Sequence, residues 1–272
     1  MSGRMLRWII RTAALVMVAT VAGGELAPVV AASSKTLPID GDLRANADVL
    51  KVSVHVQKPN SIWDFRFGEY AVVSSKFGVT ETTTSGKLFS PVEHSHTKQK
   101  FSFVMQGAGP STAKVKAAQN VEADAFRDIE VSPGVHVGIE PRSGILDNLV
   151  ASIAIDGEAS SKWTLLLNVN RSVAGIAEQT ESSWLTDGTR EILVTPLASE
   201  GPSKSAFDLP ARGYQFSDEG NAIGAVQYYA GGSLGLFRNV VYLRRDIDPQ
   251  RKLLLAAAMT AIMQVKLNAV AE

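Results

Sequence analysis

The stretch Asp248-Pro249-Gln250-Arg251-Lys252-Leu253-Leu254-Leu255-Ala256-Ala257-Ala258-Met259-Thr260-Ala261-Ile262-Met263 decides the fold. Asp248 followed by Pro249 is a helix start: the carboxylate accepts from orphan amides of the first turn, and proline lacks only a hydrogen that would go unused there. From Leu253 to Met263 the sole polar residue is Thr260, and neither glycine nor a β-branched run breaks the segment. A surface helix would show a polar face at helical spacing, so a helix apolar all round must be enclosed all round. Its uninterrupted part, about 11 residues, is well short of the ~20 that cross a bilayer. The expectation is a core helix over 249–267 wrapped by sheet.

The wrapping is legible upstream. Leu50, Val52, Val54 and Val56 alternate with Lys51, Ser53, His55 and Gln57, the period-two pattern of a half-buried strand. Trp63, Phe65 and Phe67 alternate with Asp64 and Arg66, and Tyr70 to Ser74 resumes after Gly68, which reads as a bulge or kink within one strand. Further strands are expected at Phe101–Met105, Val135–Ile139, Leu149–Ile155, Trp163–Val169 and Glu191–Thr195. Asp156-Gly157 and Asp218-Glu219-Gly220-Asn221 read as hairpin turns, since glycine takes the positive φ that tight turns demand. Ala113–Phe126, rich in Ala, Lys, Gln and Glu, reads as a helix, and Ser172–Trp184 as a short helix or loop. Of the adjacent pair Tyr228 and Tyr229, strand geometry buries only one. The fold class that follows is mainly β: an antiparallel β-barrel or sandwich packed around an apolar C-terminal α-helix. The organisation expected is a signal peptide over 1–32, a linker over 33–47, and one β-rich domain over 48–272.

Gly213-Tyr214-Gln215-Phe216, the Gly220 turn, Ile223-Gly224-Ala225-Val226, Val240-Val241-Tyr242-Leu243, and Asp248 with the helix behind it form a hairpin, a strand and a wholly apolar terminal helix. This pattern, confined to the C-terminal third, resembles the Tubby C-terminal-like superfamily, which includes the phospholipid scramblases and the LURP-one-related proteins. The resemblance implies that the last helix threads a closed β-barrel. Some members of that superfamily bind phosphoinositides through basic residues, but no such position is matched here and no binding residue is carried over.

The N-terminus gives an address. Arg4, Arg7 and Arg11 precede an apolar run from Thr12 to Ala22, and Val30-Ala31-Ala32 offers the small residues behind which a signal peptidase cuts. A periplasmic or secreted protein, cleaved near Ala32, is expected. Removal of those residues leaves 24 basic against 26 acidic side chains, from 27 of each in the full chain. A chain so close to neutral lacks the basic excess that nucleic acid or an anionic membrane normally selects, so no nucleic-acid partner is expected. Cysteine is absent, which excludes disulfides, thiol catalysis and Cys-ligated zinc.

Candidate chemistry is sparse, and no cofactor is implied. Glu93, His94 and His96 form the only local metal-like cluster: on a strand, the two histidines share a face and can bind Zn²⁺ or Cu²⁺, with His55, His136 or a carboxylate completing the set. The alternative is a polar surface loop over Pro91–Lys100. Trp63, Phe65 and Phe67 are candidates to line a site for a small apolar or lipid ligand, or else belong to the core. No G-x-S-x-G elbow occurs, and Gly232-Ser233-Leu234-Gly235 reads as a turn. Asp246 and Asp248 read as a solvated neighbour and a helix cap rather than an acid/base pair. The sequence favours an exported envelope protein of binding or structural type, with a small apolar ligand or an envelope protein as partner. The rival is an envelope hydrolase or metal-dependent enzyme whose site is assembled from residues distant in sequence.

Overall fold

The computed structural model describes residues 37–55, 61–78, 80–85, 92–126, 129–132, 135–137, 145–156, 162–171, 178–199, 211–229 and 239–271. The first 36 residues, with the expected signal segment, lie outside them, as do the turn at Gly232 and Glu200–Pro210. In chain order come α1 (Gly41–Asn46), β1 (Ala47–Lys51), β2 (Ser53–His55), β3 (Asp64–Phe67), β4 (Tyr70–Phe77), β5 (Glu81–Ser85), β6 (Val92–Gln106), β7 (Thr112–Phe126), β8 (Ile129–Ser132) and β9 (Val135–Val137). Then follow β10 (Ile145–Ile155), β11 (Lys162–Arg171), β12 (Glu178–Thr186), β13 (Glu191–Ala198), β14 (Arg212–Asp218), β15 (Asn221–Tyr229), β16 (Val240–Arg244) and α2 (Pro249–Ala271).

One antiparallel sheet runs in the order β1-β16-β15-β14-β13-β12-β11-β10-β7-β6-β4-β3-β2, with β5 added to β6. Its two ends are the same piece of chain. β1 pairs with β16 and β2 pairs with β3, while only Val52 separates β1 from β2. The Val52 amide itself donates to the Asn239 carbonyl at 3.0 Å. A sheet whose first and last strands are halves of one run curls into a nearly closed barrel, here of twelve staves once those halves are joined. About eight strands give a lumen that side chains alone can fill, so twelve leave room for more, and a helix is ~10–12 Å across.

That room is taken by α2. Leu253 to Leu267 is buried throughout, and the helix packs on β10, β7 and β6 and, across the ring, on β15 and β16. Small residues make the approach close: Ala256, Ala257, Ala258 and Ala261 on the helix, and Ala113, Ala117 and Ala151 on the facing strands, are all buried. Gly224 on β15 belongs to the same contact, because a Cβ there would lie 2.8 Å from Met259 Cε. Asp248 caps the helix as expected, its Oδ1 accepting from the Arg251 amide at 2.8 Å. The helix ends at Ala271, four residues past the expected 267, and within the expected span it carries Gln264 and Lys266 into the interior. Gln264 Oε1 accepts the Trp63 amide at 3.1 Å, and Lys266 Nζ lies 5.8 Å from the ring centres of both Tyr214 and Tyr228.

Several local expectations need correction. Ala113–Phe126 is not a helix but most of the 15-residue strand β7. Its alanines serve close packing: Ala113, Val115, Ala117 and Gln119 are buried, and Lys114, Lys116 and Ala118 are exposed between them. The described part of Ser172–Trp184 is likewise strand, in β12. Gly68, with φ 53°, is the turn of a tight hairpin that separates β3 from β4 rather than a kink within one strand. Glu219 (φ 47°) and Gly220 (φ 83°) join β14 to β15 as read, and β10 pairs antiparallel with β11, while Gly157 of the turn between them lies outside the described residues.

Residues 37–47, expected as linker, are docked on the barrel. Leu37, Ile39, Leu43 and Ala47 are buried with Ala211, Ala222 and Ala225 in a second apolar cluster. Asp40 caps α1 by accepting from the Asp42 and Leu43 amides at 2.9 and 3.1 Å. Arg244 of β16 binds Asp42 at 2.6 Å and Asp246 at 2.8 Å, holding the helix to the sheet. All described residues belong to one compact unit, Ala32–Glu272.

Candidate functional site

Since the helix fills the lumen, ligand space has to be sought on the outside. Phe65 and Phe67 are buried in the barrel interior in one cluster with the α2 residues, and Trp63 is half-buried against it. They therefore belong to the protein's own core, the same cluster that holds α2. Phe67 also packs on Tyr70 with ring centres 5.6 Å apart.

Glu93, His94 and His96 fall on β6, so this segment is strand rather than loop. Strand alternation puts His94 and His96 on one face and Glu93 on the other. The side chains of Glu93 and His94 lie outside the described residues, and that of His96 is half-buried. His55 is on β2 and His136 on β9, which pairs with β8 in a separate two-stranded sheet. Among the described residues no group of three or more metal-ligating side chains comes together. Asp246 is the solvated neighbour anticipated for it: hydrogen bonding from Arg244 holds its carboxyl below the usual carboxylate range.

The feature that sequence reading missed is a groove on the outer face of β4, β6, β7 and β10. It is a shallow, open depression of about 590 Å³ on the sheet surface. Its surface is mainly apolar, with Ala118 and Val150 contributing, while Phe77 beside it stands opposite inward-facing Phe101 and packs on the core. Three cations, Lys76, Lys100 and Lys116, stand around it, all exposed. Register explains the grouping: Lys76 pairs with Ser102, Ser102 with Lys116 and Lys116 with Ser152, while Lys100 pairs with Ala118 and Ala118 with Val150. Two adjacent rows of the sheet thus carry the three lysines beside the apolar surface. No ion pair joins any of the three to another described residue, in contrast to Lys114, which binds Asp156 at 2.9 Å. Gly78 ends β4 at this groove, its amide donating to the Lys100 carbonyl at 2.7 Å. A Cβ there would sit 2.8 Å from that oxygen, so glycine lets the strand end close against β6.

The apolar surface continues sideways. Val150 pairs with Leu166, Leu166 with Trp184 and Trp184 with Leu193, so one outward row crosses β10 to β13. Val150 and Leu193 are 45% and 54% exposed, values high for large aliphatic side chains in a sheet. At the mouth of the barrel near the start of α2, a smaller pocket is lined by Trp163, Arg190, Gln250 and Arg251 among others. There Arg190 lies 4.9 Å above the Trp163 ring and Arg251 is paired with Asp218, so both cations are already engaged.

The fold and groove define an antiparallel β-barrel built around its own C-terminal helix, with an apolar, lysine-bearing face on the outside. Comparison with protein-family models, with curated proteins and with solved structures finds no match. Among the described residues no helix is long and apolar enough to cross a membrane.

Proposed function

We propose that this chain is an exported envelope binding protein whose ligand is a small anionic amphiphile, an acyl chain ending in a carboxylate or phosphate. The observation that carries the reading is the groove in which Lys76, Lys100 and Lys116 stand around an apolar surface. Apolar surface favours the chain, and an ammonium group beside it favours an anionic head, a combination that neither alone selects. The near-neutral mature chain fits a local charge of this kind rather than bulk electrostatic binding. A closed barrel around a terminal helix supports placing the chain in the Tubby C-terminal-like superfamily. Export rests on the first 32 residues.

Two measurements test this. Lauric acid and dodecyl phosphate are expected to bind the full chain with micromolar affinity in calorimetry, and Lys100→Glu/Lys116→Glu should weaken both by more than about tenfold, since reversing two charges turns attraction into repulsion. Dodecyltrimethylammonium, with the same tail and opposite charge, should bind no better than the variant binds laurate. Absence of laurate and phosphate binding, or equal binding by parent and variant, would reject the groove as the site. For export, the intact mass of chain recovered from a bacterial periplasm should lack about the first 32 residues; full-length chain confined to the cytosol would reject the envelope assignment.

A further inference from the structure

We propose that the ligand's acyl chain lies across the strands in an apolar lane from Ala118 to Leu193, and that the site therefore selects long anionic chains of about sixteen carbons. This rests on the reading of the lysine-bearing groove as the seat of an anionic amphiphile, and adds where the tail runs and how long it is. Register places the lane: Ala118 of β7 stands opposite Val150 of β10, Val150 opposite Leu166 of β11, Leu166 opposite Trp184 of β12, and Trp184 opposite Leu193 of β13. All five face outward, because their strand neighbours Ala117, Ala151, Leu165, Leu167, Leu185 and Ile192 are buried and successive side chains point to opposite faces. Lys100 stands opposite Ala118, and Lys116 is two residues before it on the same face, so the cationic part of the groove is one end of the lane. At the other end Glu191 is exposed, two residues before Leu193 on the same face. Opposite charges at the two ends give the lane a direction: an anionic head is drawn to the lysines and repelled from the Leu193 end.

The lane is one side chain wide. Ser152, Thr164 and Thr186 border it on one side, in register with one another, and Asn120, Asn148 and Asn168 on the other. Strands lie ~4.8 Å apart, so the four steps from β7 to β13 make it about 19 Å long. With same-face neighbours about 7 Å apart along a strand, its area is on the order of 130 Å². A stable protein partner covers about 800 Å² on each side, several times as much. A single alkyl chain matches these dimensions. A fully extended peptide advances about 3.6 Å over three bonds, or roughly 1.2 Å per bond, so about 19 Å holds a chain of roughly sixteen carbons. A chain of about twelve carbons ends roughly 13 Å along, near Trp184, and only a longer one touches Leu193.

The test is calorimetry of the full chain with laurate and with palmitate, each below its micelle-forming concentration. Palmitate is expected to bind more than about tenfold tighter, since each added CH₂ gives about fourfold when wholly enclosed and about twofold when the surface covers one side of it. Leu193→Asn should leave laurate unchanged, which also reports that the fold is kept, and should remove most of the gain for palmitate. Palmitate brominated at its terminal carbon should quench tryptophan fluorescence, and Trp184→Phe should abolish that quenching; bromine beside the carboxyl should quench far less. Equal binding of laurate and palmitate by the parent, or a palmitate affinity that Leu193→Asn does not lower, would overturn the lane and leave the groove as a site for the head. Absence of laurate binding would reject the groove, and the lane with it. Sedimentation of the parent but not of Leu193→Asn with phosphatidylglycerol vesicles, or dimerisation lost in that variant, would assign this face to a bilayer or a second copy and overturn the proposal.

Discussion

Ala257→Asp is expected to leave no soluble folded protein. Ala257 is wholly buried in the middle of α2, and its neighbours Ala256, Ala258, Ala261 and Met259 are as deeply enclosed. A carboxylate there has no described cation within the apolar section of the barrel, and the nearby helix positions offer only Thr260 as a polar group. An uncompensated charge in such a site costs several kcal/mol even if it is neutralised by taking up a proton. That is comparable with the ~5–15 kcal/mol that stabilises a whole domain. The check is soluble yield beside Ala257→Ser, which adds one hydroxyl able to bond back to the preceding helical turn and should still fold. Normal yield and melting of the aspartate variant would mean that α2 is not enclosed by the barrel.

The second large effect is expected at Gly213. A Cβ on this residue would lie 2.1 Å from the Val226 carbonyl oxygen and 2.4 Å from Leu37 Cδ1. The first neighbour is backbone and cannot rotate away, so β14 and β15 would have to separate where their register already shifts. The second belongs to the segment before α1, so the same substitution would loosen the docked N-terminal arm. Overpacking of this kind costs ~2–3 kcal/mol, which for a domain of this size lowers the melting temperature by about 4–12 °C. Gly41→Ala is the matched control, because a Cβ at that position meets nothing within 4 Å. Equal melting of the two variants would show that the β14–β15 contact is slacker than described.

Much of the fold could be read from residue order. The apolar run behind Asp248-Pro249 required an enclosing sheet, and an enclosing sheet built from hairpins required antiparallel strands. Alternation did not decide β15, where Ala222 to Tyr228 are buried on both faces because the segment from Leu37 covers the outside. The weakest reading was Ala113–Phe126, where alanine's helix propensity outweighed a genuine period of two. Alanine is there because α2 passes close to β7, a fact about the tertiary structure that no local preference encodes.

The groove was illegible for a related reason. Lys76, Lys100 and Lys116 are ordinary solvated lysines in sequence, and their meeting depends on register across three strands. Likewise the segment from Leu37 to Asn46 lacks periodicity, and its burial depends on the alanines of β15 and the preceding Ala211 being small enough to receive it.

By itself, then, the order of residues determined a terminal helix that water cannot touch and a set of strands to surround it, because hydrophobic periodicity acts over a few neighbouring residues. Closure through the broken β1–β2 run, the filling of the lumen by α2, and the placement of lysines on the outer face were decided only by the tertiary structure. Each of these rests on pairings between residues far apart in the chain, whose energies come from contacts that exist only once the barrel has formed.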